Sequence, residues 1–212
     1  MPSRSSDAAL MTLVRAIVAG DADKAASLLA ATPALARACF AAGATRQVAQ
    51  TWFLARIKRY IYAGDTPLHV AAAAYRQEIA RKLVAAGADV RARNRRGAEP
   101  LHAAAVGSPG SDAWNPTAQA AMVAWLIEAG ADPNAVDMDG VTPLHRAVRT
   151  RCAAAVKALL DGGADAARRN KGGSTPMRLA ELTTGRGGSG SPAAKAQQRE
   201  IVRLLEGHGA RR

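Results

Sequence analysis

Apolar residues recur along this chain in short segments with helical spacing, and the segments come in pairs. Residues 10–19 and 22–31 form the first pair around Gly20 and Asp21, and Pro33 follows where the second segment ends. Apolar positions at i, i+3 and i+4 give a helix one buried face, so we predict two helices that pack against each other. Glycine and proline at these places are typical of helix ends.

Two short phrases recur in register after this first pair. One reads Thr-Pro-Leu-His, with variants, and its prolines lie 33, 43 and 33 residues apart. The other, Gly-Ala-Asp, ends three of the units. Threonine caps the first N–H groups of a helix, proline suits the first turn, and glycine adopts the left-handed conformation that ends a helix. The residues predicted to have structural roles in these repeats are Thr66, Pro67, His69, Gly87, Pro100, His102, Gly130, Thr142, Pro143, His145, Gly163, Thr175 and Pro176.

This order of phrases resembles the ankyrin repeat, and the resemblance covers about residues 60–210. It implies an all-α ankyrin-repeat solenoid of about five stacked helix-turn-helix units, with finger-like turns between them. We expect residues 1–34 to be a divergent N-terminal capping repeat, residues 35–62 an inserted segment and residues 63–212 four repeats. One continuous domain is expected, because stacked repeats share a core.

The inserted segment 35–62 holds five of the eight aromatic residues of the chain, interleaved with arginine and lysine. Its apolar residues are spaced as a helical stripe and predict an amphipathic helix over residues 45–61. One interpretation of the segment is a lid that packs on the first repeats. The other is an aromatic and basic surface that binds a partner through Trp52, Arg56 and Arg59.

Two further insertions interrupt the repeats at residues 107–116 and 185–197. Both fall between the two helices of a repeat. Since packed helices lie about 10 Å apart, we expect two loops that project from one edge of the stack, about 20 Å from each other. The fourth repeat lies between them in the sequence.

Composition and charge narrow the expected partner. With 52 alanines and 8 aromatic residues, the core is predicted to consist of thin, closely packed helices. The formal net charge is +12, and basic residues collect on two fingers and on the inner helix of the fourth repeat. We expect a non-catalytic protein–protein interaction scaffold that binds an acidic protein surface, with Trp114 as an apolar anchor and solvated arginine as the alternative at each basic position. The predicted partner-binding residues are Arg95, Arg96, Trp114, Arg146, Arg149 and Lys171.

Nucleic-acid binding is the alternative function, because residues 91–96 and 168–171 are two basic fingers. The finger between them carries Asp137 and Asp139, which interrupt the basic stripe where a phosphate backbone would pass. Aromatic residues that stack on bases are also few along the repeats. A protein partner is therefore favoured.

The histidines of the opening phrases do not predict a metal site. Equivalent atoms of successive repeats lie about 10 Å apart, whereas a metal needs its imidazole ligands within about 2 Å. We expect His69, His102 and His145 to hydrogen-bond neighbouring turns instead. No cofactor is expected, since the glycine-rich residues 185–192 lack the nucleotide-binding pattern, and no catalytic set is recognised, so we expect no enzymatic activity.

Cysteine usage and the length of apolar runs indicate the expected environment. Two cysteines are typical of a protein in a reducing compartment. Apolar runs of about ten residues fall short of the roughly 20 that a membrane-spanning helix needs. We therefore expect a cytoplasmic protein that does not bind membranes and that is a monomer rather than an oligomer.

Overall fold

The computed structural model describes residues 4–107, 114–182 and 192–210. Its contacts group the chain into two compact units, Met1–Pro100 and Leu101–Arg212. The sequence predicted one continuous domain, and that stays a prediction. In an array of repeats the contacts are made between neighbours, so a unit can consist of a few repeats.

The first unit is built from two helix pairs. These are α1 (Arg4–Ala19), α2 (Ala22–Ala31), α3 (Pro67–Ala73) and α4 (Gln77–Ala85). Helix α1 packs against α2 and α3, and α2 also packs against α4, so one pair lies against the next. The apolar stripes seen in the sequence form the contact between the pairs. Buried side chains there include Leu13, Val14, Ile17, Leu68, Ile79 and Leu83.

The segment between these pairs is not a helix, so the predicted amphipathic helix over residues 45–61 is wrong. The segment contains 3₁₀ turns at Pro33–Ala36, Gln50–Trp52 and Ala55–Ile57. Strand β1 (Phe53–Leu54) lies between the last two turns, and strand β2 (Arg59–Tyr60) follows the last one. The two strands pair antiparallel.

A cross-strand aromatic pair explains why the hairpin forms instead. Phe53 lies opposite Tyr60 in the register, and their ring centroids are 4.8 Å apart. Lys58 has a φ of 47°, which reverses the chain between the strands. Aromatic residues favour strands, and such cross-strand pairs stabilise them. Phe53 and Tyr60 are seven residues apart, a spacing that would place them on one face of a helix. The hairpin instead brings their rings into direct contact.

Backbone hydrogen bonds fix this segment to the start of the second repeat. The N–H of Phe40 donates to the carbonyl of Asp65 at 3.0 Å, and the N–H of Ala44 donates to the carbonyl of Ile61 at 2.8 Å. The side chains of Phe40 and Ile61 are buried. Gly43 allows this approach, because a Cβ there would lie 2.4 Å from the backbone of the segment that follows Ile61.

The second unit continues the pattern of short inner and longer outer helices. The remaining helices are α5 (Pro100–Ala104), α6 (Pro116–Glu128), α7 (Pro143–Arg149), α8 (Ala153–Asp161), α9 (Pro176–Glu181) and α10 (Pro192–Gly207). Helix α6 packs against α8, α7 packs against α8 and α9, and α10 packs against α8 and α9. The described residues of the whole chain contain ten α-helices and one hairpin of two short strands, which confirms the predicted all-α class.

The two insertions predicted at 107–116 and 185–197 lie largely outside the described residues, which exclude 108–113 and 183–191. Residues 192–197 form the first turns of α10, so this part of the predicted insertion is helical and is not a projecting loop. Proline suits the first turn of a helix and alanine is the best helix former, which explains why the helix begins at Pro192.

Capping threonines begin the inner helices. Thr142 accepts a hydrogen bond from the backbone N–H of His145 at 3.3 Å, and its hydroxyl lies 2.8 Å from the Nδ1 atom of that histidine. Thr66 makes the same arrangement with His69. Thr175 accepts from the N–H of Arg178 at 3.2 Å, so it caps its helix without a histidine partner. Two of these caps therefore have a second interaction that the third lacks.

We expect Thr142→Ala to lower the free energy of unfolding by about 1–2 kcal/mol, because it removes the cap and leaves the buried His145 Nδ1 with fewer donors. Thr175→Ala should cost less, about 1 kcal/mol or below, since only the cap is lost. Urea unfolding followed by circular dichroism measures both. The control is Thr117→Ala on the exposed side of α6, expected to change stability by less than about 0.5 kcal/mol. An equal cost for Thr142→Ala and Thr175→Ala would contradict the added role of histidine.

Candidate functional site

Each histidine of the opening phrases donates a hydrogen bond to a backbone carbonyl of the following finger. The Nε2–H groups of His69, His102 and His145 each donate at 3.0 Å, to the carbonyls of Ala98, Val141 and Ser174 respectively. Among the described residues, no group of three or more histidine, cysteine or acidic side chains is placed to hold a metal ion. These imidazoles therefore have a structural geometry and do not converge on one point.

Asp65 is the centre of a buried polar cluster in the first unit. Its carboxylate accepts from the Arg59 guanidinium at 3.3 and 3.4 Å, from the amide of Asn94 at 2.9 Å and from the backbone N–H of Tyr62 at 2.9 Å. Burial alone would raise the pKa of Asp65, but the charge of Arg59 and these hydrogen bonds hold the pKa below its ordinary value. Arg59, which one interpretation placed in a partner-binding surface, is thus bound within the fold.

Arg95 and Arg96 are brought together around one aromatic ring. Their guanidinium carbons lie 5.5 and 5.6 Å from the ring centroid of Tyr62, within the range of cation–π contacts. Arg95 also donates from Nη2 to the carbonyl of Ala44 and from its backbone N–H to the carbonyl of Ala63. Both arginine side chains remain exposed. The sequence identified the two arginines but not the ring that orients them.

Arg146, one of the predicted partner-binding residues, forms an ion pair within the fold. Its Nη2 donates to the Asp137 carboxylate at 2.8 Å, and the arginine side chain is only 15% exposed. Asp137 is buried and also accepts from the backbone N–H groups of Asp139 and Val141. Burial would raise the pKa of Asp137, but the hydrogen bond from Arg146 and those from the backbone lower it overall. The acid that interrupts the basic stripe in the sequence is therefore neutralised within the fold, although Asp139 stays exposed.

Arg149 and Lys171 are both exposed, and they lie near opposite ends of the inner helix α7. Arg149 is the last residue of α7. Lys171 lies on the next finger, where its backbone N–H donates to the carbonyl of Asp139 at 3.0 Å, beside the start of α7. Their predicted role in binding a partner stays a prediction.

Trp114, the predicted apolar anchor, makes its hydrogen bond within the second unit. Its indole N–H donates to the side-chain oxygen of Gln119 at 2.8 Å, and the indole is half-buried. Gln119 in turn donates to the carbonyl of Ala104 at 3.0 Å. The indole nitrogen also lies where a Cβ on Gly107 would meet it, at 2.7 Å. The polar end of the indole is therefore satisfied within the fold, and the role of Trp114 as an anchor stays a prediction.

Apolar side chains are also exposed in the second unit. Val106 is 37% exposed, Met138 63% and Leu182 50%. Val106 and Leu182 each lie six residues after the opening proline of their repeat, the position that Arg149 has in the repeat between them. Counting positions from each proline would have found this correspondence in the sequence.

The cysteines do not form a nucleophilic site. Cys152 is buried, and burial raises the pKa of its thiol, with the nearby Thr150 hydroxyl opposing the shift. Because the thiolate is the nucleophile, a raised pKa disfavours reaction at this residue. Cys39 is an exposed thiol in the other unit.

Family comparisons agree with the repeats seen in the structure. A family model described as "Ankyrin repeat" matches residues 63–95 and 96–138, and one described as "Ankyrin repeats (many copies)" matches residues 120–180. The resemblance inferred from the opening phrases is thereby confirmed. No curated protein matches the chain. Within the described part of the chain, no helix has the length and apolar character to cross a bilayer.

We expect His145 to make the protein less stable as the pH falls below about 6.5. Burial lowers the pKa of His145, so the folded state keeps the neutral imidazole while the unfolded chain binds a proton near its ordinary pKa of about 6.5. The neutral His145 therefore makes its full contribution to the free energy of unfolding above about pH 6.5, and this contribution is lost as the pH falls below that value. Urea unfolding at about pH 7.5 and about pH 5.5 measures the loss. His145→Gln should lose less stability between the two pH values than the natural protein, and an equal loss would contradict the assignment.

Proposed function

This chain belongs to the ankyrin-repeat family, whose members are in general protein–protein interaction modules, and from that premise we propose that it is a non-catalytic scaffold for an acidic protein. The observation that carries the proposal is the arrangement of Arg95 and Arg96 on the ring of Tyr62. Guanidinium groups that are oriented before binding lose less entropy when they meet a carboxylate.

The charges around this arrangement support an acidic partner. The carboxylate of Asp65 is buried and is neutralised by Arg59. Glu99 is buried and lies 3.3 Å from the guanidinium of Arg93. These acids therefore contribute little negative charge to the surface, while Arg95 and Arg96 remain exposed. Complementary charge of this kind speeds association and selects the partner.

Nucleic-acid binding remains the second candidate function. In its favour, the Asp137 carboxylate that interrupts the basic stripe is neutralised by Arg146. Against it, the exposed Asp139 and the apolar Met138 lie on the finger between the two basic fingers. A phosphate backbone is recognised by continuous positive charge, so a discrete acidic protein surface fits this pattern better.

The proposal is tested by affinity capture at low salt, followed by mass spectrometry and by titration with the purified partner. We expect Arg95→Glu combined with Arg96→Glu to abolish recovery of an acidic protein. The matched control is Arg15→Glu combined with Lys24→Glu, which makes the same change in charge at exposed positions of α1 and α2. The control should retain the partner, and thermal unfolding shows whether each variant is folded.

Either of two results would overturn the proposal. One is equal loss of the partner in both double variants, which indicates a net-charge effect. The other is retardation of mixed DNA and RNA by micromolar protein at about physiological salt, which supports nucleic-acid binding instead. A cytoplasmic location and a monomeric state are parts of the same proposal, and sedimentation of the purified protein tests the second.

A further inference from the structure

Three exposed residues occupy equivalent positions in the three repeats of the second unit. Val106, Arg149 and Leu182 each follow the opening proline of their inner helix by six residues. Val106 is 37% exposed, Leu182 is 50% exposed and Arg149 is also exposed. The repeats thus present an apolar, a basic and an apolar side chain in that order.

Contacts beside these residues place them next to one another. The backbone N–H of Gly107, directly after Val106, lies 3.5 Å from the Thr150 hydroxyl, directly after Arg149. On the other side, the Arg151 guanidinium donates to the carbonyl of Leu182 at 3.0 Å. Because successive repeats of a helical stack are spaced about 10 Å apart, we expect the three side chains to form a strip with steps of about 10 Å.

The cation of the strip is held on a rigid support. Arg151 is buried, adopts a φ of 58°, and also donates to the side chain of Gln198 at 2.7 Å. The Thr150 hydroxyl donates to the carbonyl of Arg146 at 2.9 Å. Arg146, one turn before Arg149 on α7, is neutralised by Asp137. Arg149 is therefore the exposed charge on this end of a fixed helix.

We propose that this strip binds an extended protein segment that has one acidic residue with an apolar residue three positions before it and another three positions after it. An extended chain rises about 3.3 Å per residue, so three residues cover about one 10 Å step. The pattern reads the same in both directions, so either direction of the segment fits. This proposal rests on the proposed function and adds to it the sequence pattern of the segment that the partner uses for binding.

The apolar ends of the strip decide between a peptide and a polyanion. Val106 and Leu182 offer surface that an apolar side chain covers with a favourable loss of water contact. A phosphate backbone has no apolar group at that spacing. Of the three side chains of the strip, the outer two are apolar and the central one, Arg149, is charged, which fits a peptide better than a polyanion.

A labelled synthetic peptide tests the proposal on the full chain by fluorescence anisotropy. The probe has leucine at the first and seventh positions, glutamate at the fourth and glycine or serine elsewhere. A second peptide of the same composition has the glutamate at the second position. We expect the first peptide to bind at least about tenfold more tightly than the second, since only the first matches the spacing of the strip.

Variants of the protein locate the binding. Arg149→Glu should weaken the first peptide about tenfold, and a peptide with lysine in place of glutamate should regain that loss on the variant. Val106→Ser and Leu182→Ser should each weaken binding severalfold. The matched control is Arg199→Glu on the outer helix α10, which makes the same change in charge and should leave the affinity within about twofold.

Equal binding of the two peptides, or no binding up to about 1 mM, would overturn the proposal. So would an Arg149→Glu variant that binds the first peptide normally. These failures are distinguishable from failure of the proposed function, because capture of an acidic protein that depends on Arg95 and Arg96 would persist. In that case the scaffold function stands and only the strip is wrong.

Discussion

The fold depends on a buried imidazole that uses both of its ring nitrogens. His145 donates from Nε2 to the carbonyl of Ser174, while its Nδ1 lies within hydrogen-bonding distance of Thr142. A buried polar atom that loses its partner costs about 1–3 kcal/mol, so the start of the helix and the next finger are held at a fixed separation. His69 makes the same two connections in the first unit. The exposed side chains of the fingers are therefore presented from a backbone whose position the core determines.

Burial separates the cations of this basic chain into two kinds. Arg59 and Arg146 are largely buried and neutralise Asp65 and Asp137, and each pair orients the backbone around the start of an inner helix. Breaking such a pair leaves an uncompensated charge in a poorly solvated place, which makes these arginines structural. Arg149, by contrast, is exposed. Because each buried pair cancels within itself, the formal net charge of +12 is carried by the remaining charged residues.

The sequence predicted the repeats well because their signals are local. Threonine, proline and histidine within four residues cap a helix and fix the next finger, and family comparison confirms the result. The inserted segment and the site were predicted less well because they depend on distant contacts. Phe53 pairs with Tyr60 in a segment whose Phe40 and Ile61 side chains are buried, and local helical spacing does not reveal such contacts. The roles of Arg146 and Trp114 likewise depend on Asp137 and Gln119, which single-residue charge or polarity does not reveal.

Repeat register explains how the second unit acquires an ordered strip from an irregular sequence. An insertion that begins after the sixth residue from the opening proline lengthens a repeat without changing the spacing of those six residues. In the third repeat the extra residues follow Val106, and in the fifth they follow Leu182, whereas the fourth repeat has none after Arg149. Residues 43 and 33 positions apart therefore occupy equivalent places, as the contact between Gly107 and Thr150 demonstrates. Selection for partner binding can therefore act on this one position in each repeat. The caps and histidines hold the position in place whatever the number of residues inserted between successive inner helices.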